Sequence, residues 1–157
     1  MDIKIFSPEE FDKIEYAWKK LENGPDMTAF QLYDWYKNIN ALYFKEKTKN
    51  IFRKWIYVLA EENGEPKMIA PLQVIKFSVG YKQIAVPPAF YFIGRMGYTD
   101  YLNFIYKEFS KQTAEYILQY VSEKYKLKKF ILDQLVKGTA LYDFINDKYN
   151  NEKYVCS

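Results

Sequence analysis

The stretch Gly94-Arg95-Met96-Gly97-Tyr98-Thr99-Asp100-Tyr101 stands where the chain changes character. The residues before it read as a run of strands, and those after it lead toward a long amphipathic helix. Tyr101 to Tyr106 reads either as a short strand or as an early helical turn. Ser110 then stands as the N-cap of a helix to about Lys126, with Ala114, Ile117, Leu118, Val121 and Tyr125 on one face at helical spacing.

Toward the N-terminus, Asp2 to Phe6 alternates and predicts a first strand. Ser7-Pro8-Glu9-Glu10 predicts a helix start, with Ser7 as N-cap, Pro8 at N1 and Glu10 closing a capping box. Phe6 and Phe11 fall at the two positions of a hydrophobic staple, and Phe11, Ile14, Trp18 and Leu21 share a face. Asn23-Gly24-Pro25-Asp26 breaks the chain. A second helix is expected from about Leu32 to Lys47, with Leu32, Trp35, Tyr36, Ile39, Leu42 and Tyr43 inward. Gln31, just before it, reads as a cap.

Trp55 to Ala60 is a continuous apolar run, suited to a strand covered on both faces. Asn63-Gly64 supplies a hairpin turn. The returning strand, about Lys67 to Phe77, contains Pro71, which marks a bulge or an edge because it has no N–H to give. Lys82 to Val86 and Phe90 to Ile93 complete the strands before the opening stretch. Beyond the long helix, Phe130 to Leu132 reads as a buried strand. Gly138-Thr139 opens a helix with Leu141, Phe144 and Ile145 inward, and Glu152 to Cys156 begins a last strand. The order β-α-α-β-β-β-α-β-α-β predicts one α/β domain over residues 1–157, a mixed, mostly antiparallel sheet flanked by helices.

Composition narrows the function. At 157 residues, one domain buries roughly two-thirds of its unfolded surface. A net charge of +3 without a concentrated basic stripe excludes nucleic acid as a partner. Lys124, Lys126, Lys128 and Lys129 fall at a helix end, where cations suit the dipole. No apolar run of about 18 residues exists, so no membrane span is expected. The one cysteine, Cys156, can form no intrachain disulfide, which fits a reducing cytoplasm. Without histidine, Ser-His-Asp and Cys-His sites are excluded, and no metal site is expected. Any acid or base must be carboxylate, tyrosine, lysine or water. The aromatic share, 20%, predicts a tyrosine-rich core whose hydroxyls reach the surface, or a stacking surface for sugars or bases.

Four segments carry a resemblance. They are Phe30-Gln31-Leu32-Tyr33-Asp34-Trp35, the strand pair ending in Ala70-Pro71-Leu72, Gly97-Tyr98-Thr99-Asp100-Tyr101, and Leu127 to Leu141 with its strand–Asp133–helix pattern. With the order of elements, they resemble the GNAT acyltransferases, and within them the N-terminal half of the CelD/BcsL-type branch, a tandem, FemAB-related arrangement. The resemblance implies an acceptor-side domain of an enzyme that moves an acyl group from acetyl-CoA or another acyl-CoA to an amine on a sugar, peptide or cell-envelope precursor. Its expected partner is a C-terminal GNAT domain or a second copy of itself. The sequence stops about where such proteins enter their second half, so either it is a piece or it is a stand-alone relative.

In that family the pyrophosphate loop stands between the strands and the long helix, where the opening stretch lies. Its pattern is Arg or Gln, two residues, Gly, one residue, then Gly or Ala. Counted from Arg95, the fourth and sixth positions are the bulky Tyr98 and the anionic Asp100. This chain alone is therefore expected to bind no CoA and to turn none over. The candidate substrate-binding residues are Arg95, Tyr98, Asp100, Tyr101 and Gln134, and no catalytic residue is identified. Arg95 suits a phosphate or carboxylate clamp, or a surface ion pair. Asp100, flanked by Tyr98 and Tyr101, is either an anchor for an acceptor hydroxyl or amine, or a turn residue. Asp133 and Gln134 follow a buried strand, at the edge where open α/β sheets carry ligands, with helix capping the alternative for Asp133. The alternative function is a non-catalytic glycan- or protein-binding or dimerisation module on the same fold.

Overall fold

The computed structural model describes residues 1–46, 53–76, 88–93 and 102–149. The strands expected at Lys82 to Val86 and Glu152 to Cys156 lie outside the described residues. At the centre stands a hairpin of β2 (Arg53–Glu62) and β3 (Glu65–Ile75). Its two-residue turn puts Asn63 at φ 52° and Gly64 at φ 78°, the left-handed pair that favours Asn-Gly there. β1 (Asp2–Phe6) pairs antiparallel with β2 at one edge. β4 (Ala89–Phe92) and β5 (Ile105–Tyr106) both run antiparallel to β3, and β6 (Phe130–Ile131) runs parallel to β4. The sheet order is β1-β2-β3-β4-β6, with β5 on β3.

Strand alternation divides the core into two layers. Ile56, Val58, Ala60, Met68, Ala70, Leu72 and Val74 face α3 (Lys111–Tyr125) and α4 (Ala140–Tyr149). Tyr57, Leu59 and Ile69 face α1 (Glu15–Leu21) and α2 (Tyr33–Glu46). The run Ile56 to Ala60 is thus buried on both sides, as its unbroken apolar sequence requires. In α3 the expected stripe Ala114, Ile117, Leu118 and Val121 is buried, and in α4 Leu141, Phe144 and Ile145.

Three local expectations change. The first helix starts as a 3-10 turn, Pro8–Ile14, before α1 takes over. Its capping geometry survives: Ser7 N–H donates to Glu10 Oε2 at 3.2 Å. The inward face of α2 keeps Tyr36 and Ile39 as expected but changes on either side of them. Leu32 and Leu42 are exposed, while Tyr33, Tyr36, Ile39 and Asn40 are buried. Phe11, Trp18, Tyr33, Tyr36 and Tyr57 form a ring cluster, with Phe11 and Tyr33 stacked at 4.8 Å. Tyrosines thus fill positions where an apolarity count favours leucine. Tyr33 does send its hydroxyl outward, donating to Asp12 Oδ1 at 2.9 Å.

The third change concerns Pro71. It lies within an interior strand, opposite Tyr57, and the bulge of this hairpin falls at Ala60/Glu61 instead. Strand geometry turns a residue's N and C=O to the same side. Pro71 accepts from Ile93 N–H at 3.3 Å through its carbonyl, but it has no N–H to return. Pairing along this side of β3 stops there and resumes at Ile69 with Ile105. An uninterrupted strand would meet Ile69 at position 95, so ten residues are inserted into one strand line.

Candidate functional site

The interruption between β4 and β5 is where most of the candidate residues enter. Arg95, Tyr98, Asp100 and Tyr101 lie outside the described residues, and both flanks of their segment are anchored. Ile93 is tied to Pro71, and Leu102 N–H donates to the Gln134 carbonyl at 2.9 Å. Leu102 also bridges Leu135 in parallel register. Gln134 is therefore held against the residue that follows Tyr101. Its backbone is left-handed, φ 64°, which costs a residue with a Cβ about 1 kcal/mol or more. Its side-chain Oε1 is buried without a hydrogen-bond partner. The position after a buried strand was readable in the sequence; the left-handed backbone was not.

A second polar group joins three distant parts of the chain, and sequence reasoning missed it. Asp26 Oδ2 accepts from Tyr106 Oη at 2.5 Å and from Ala140 N–H at 3.1 Å. Asn103 Nδ2 donates to Tyr106 Oη at 3.3 Å, and Asn103 Oδ1 accepts from Phe104 N–H at 2.8 Å. Burial, with the Asp26 carboxylate beside it, pushes the Tyr106 phenol well above its ordinary value. Gly24 makes this contact possible: a Cβ there would stand 1.8 Å from the Tyr106 carbonyl oxygen. Asn23-Gly24-Pro25-Asp26 reads as a chain break, and nothing local shows that it caps a helix 114 residues away.

The start of α3 corrects the placement of the pyrophosphate loop. Leu102 to Tyr106 returns to the sheet, so the residues directly before α3 are Lys107-Glu108-Phe109-Ser110 rather than the 94–101 stretch. This short connection has no glycine. Ser110 Oγ accepts from Thr113 N–H at 3.2 Å, so one of the helix's own donors is already used. The Phe109 ring packs between Tyr106, at 5.1 Å, and Phe144, at 5.9 Å. Glu108 is exposed beside them. A diphosphate at a helix N-terminus needs open N–H groups and close backbone approach. A capped first turn, an aromatic wedge and a carboxylate do not fit one.

A scan of protein-family models and a search of curated proteins give no match. Solved structures do match. A probable acetyltransferase superposes with a TM-score of 0.50 at 11% identity, covering 97% of this chain and 91% of that one. A predicted acetyltransferase from Clostridium acetobutylicum, solved with acetyl-CoA, gives 0.49 at 13%, covering 96% and 89%. An aminoglycoside 6'-N-acetyltransferase from Acinetobacter haemolyticus gives 0.44 at 11%, covering 98% and 92%. The chain has the GNAT acetyltransferase fold, with its mostly antiparallel sheet between helices. Among the described residues, no helix is long and apolar enough to cross a membrane.

Proposed function

We propose that this chain is the acceptor-side domain of an acyl-CoA-dependent N-acyltransferase of the CelD/BcsL type, and that by itself it does not turn over acyl-CoA. The observation that supports this is the start of α3. There Ser110 caps the first turn and Phe109 and Glu108 stand where a diphosphate would need glycine and open N–H groups. Acyl-CoA then belongs to the partner domain, and this chain's task is to hold the amine-bearing acceptor, a sugar or cell-envelope precursor.

The acceptor-side residues are Gln134 and the segment carrying Arg95, Tyr98, Asp100 and Tyr101. Gln134 Oε1 is an oxygen that needs a donor, and an acceptor's N–H or O–H supplies one. The left-handed backbone at Gln134 is strain of the kind that collects at ligand-binding positions. Transfer from the thioester to the amine requires the amine to be positioned and deprotonated. Positioning alone accounts for a large part of such rate enhancements.

Calorimetric titration of the purified chain with CoA and acetyl-CoA, followed by a thiol-release assay with glucosamine and muropeptide amines, tests the reading. No heat of binding and no thiol above background are expected. Thiol release by this chain alone would overturn it.

A further inference from the structure

Between α2 and β2 the core holds polar groups that the surrounding packing leaves unmatched. Tyr36 and Asn40, one turn apart on α2, are 0% and 4% exposed, and Tyr57 on β2 is 0% exposed. Tyr57 Oη donates to Asn40 Oδ1 at 2.6 Å. The rings of Tyr36 and Tyr57 meet edge to face with centroids 6.0 Å apart. This leaves the Tyr36 hydroxyl and Asn40 Nδ2 buried with no hydrogen-bond partner. A buried donor without an acceptor costs at least as much as a made hydrogen bond contributes. The two stand one turn apart on the same helix.

The chemistry of the missing partner follows from what is already used. Asn40 has given its oxygen to Tyr57, so its remaining half is an N–H donor. Burial keeps both phenols in their protonated form, so Tyr36 has a proton to give. Two donors on one helix face are matched by one oxygen with two lone pairs. That oxygen is neutral. Tyr36, Asn40 and Tyr57 carry no charge, and Tyr43 and Trp55, tilted against each other with ring centroids 4.5 Å apart where α2 meets β2, add a neutral phenol and an indole. A carboxylate would be stripped of water among these uncharged side chains. We infer that the space between α2 and β2 is a binding site for one neutral oxygen acceptor, held by Tyr36 Oη and Asn40 Nδ2 and backed by Tyr57. A water molecule and the hydroxyl or carbonyl of a small neutral molecule share this chemistry.

The substitution Tyr36→Phe separates a filled site from an unfilled one by sign. Filled, the site loses a hydrogen bond and the unfolding midpoint falls by about 3 °C. Unfilled, the change removes an orphaned hydroxyl from the core and the midpoint rises. Two further readings name the source in the wild-type chain. Magnetisation transfer from water to the Asn40 side-chain amide protons identifies water, as buried polar sites commonly hold. Its absence, together with a small neutral molecule co-purifying in native mass spectrometry, identifies a ligand. A higher midpoint for Tyr36→Phe overturns the inference, and so does the failure of both readings to find an occupant.

Discussion

Asp26 and Tyr106, eighty positions apart, meet in a 2.5 Å hydrogen bond in which the phenol donates to the carboxylate. Because the same oxygen caps the first amide of α4, one side chain fixes the α1–α2 connection to both the sheet and the opposite helical layer. Asp26→Ala removes a helix cap and a charge-assisted bond together, and is expected to cost about 3 kcal/mol. Tyr106→Phe should cost about 1.5 kcal/mol, by loss of the phenol bond alone. Urea unfolding of both single variants and the double variant gives the coupling. A double variant that loses the full sum of the two would show that the residues act independently.

Gly24 is defined by a collision, whereas Gly64 is defined by its backbone. Gly24→Ala sets a methyl into the Tyr106 carbonyl, which should cost about 2–3 kcal/mol as the loop is pushed off β5. Gly64→Ala meets no atom within 4 Å but keeps φ 78°, and should cost about 1 kcal/mol through strain. Thermal melts of the two variants rank them, and a Gly64→Ala loss exceeding that of Gly24→Ala would contradict the packing described.

Stability should fall steeply in alkali. Burial, foremost, raises the phenols of Tyr36, Tyr57 and Tyr106 above the ordinary value of 10.0, assisted at Tyr57 by Tyr36 and at Tyr106 by Asp26. The folded chain therefore keeps protons that the unfolded chain gives up. The stability these groups contribute is complete below pH 10 and drains as pH rises through that value toward the raised ones. Each phenol contributes a slope of about 1.4 kcal/mol per pH unit there. Phenolate absorbance should show a late group of tyrosines ionising only as circular dichroism reports unfolding. Their smooth titration in a chain that stays folded would exclude this account.

Gln134→Gly should separate stability from binding. Glycine adopts the observed φ of 64° without strain and removes the buried, unpartnered oxygen. A gain of a few tenths to about 1 kcal/mol is expected after the entropy cost of glycine in the unfolded chain. Affinity for an amine acceptor such as glucosamine, measured by saturation-transfer NMR on this chain, should fall at the same time. A variant that is less stable and binds equally well would remove Gln134 from the acceptor side.

The sequence revealed the elements better than the contacts between them. The capping residues Ser7 and Ser110, the Asn63-Gly64 turn and the α3 stripe act within a few residues of themselves, so local pattern suffices to place them. Pro71 was legible as an interruption, but its consequence falls on β4, across the ladder, where no local pattern records it. On α2, Tyr36 and Ile39 were read correctly as inward, but Tyr33 was passed over as amphipathic and Leu32 and Leu42 were taken inward as apolar, whereas burial followed ring packing around Trp18. Asp26 was illegible for another reason: its two partners are assembled only when both helical layers close on the sheet. Of the candidate residues, Gln134 announced its position by following a buried strand.

The shared strand line of β4 and β5 has a consequence for how such a chain diversifies. β3 presents one continuous edge, and the ten extra residues between its two partners leave and rejoin at fixed points, Pro71 and Ile69. Because both flanks are fixed by their pairing with β3, the number and identity of those residues can drift while the described strands keep their register. Inheritance can thus rewrite the segment that carries Arg95, Tyr98, Asp100 and Tyr101 while the frame around it stays the same.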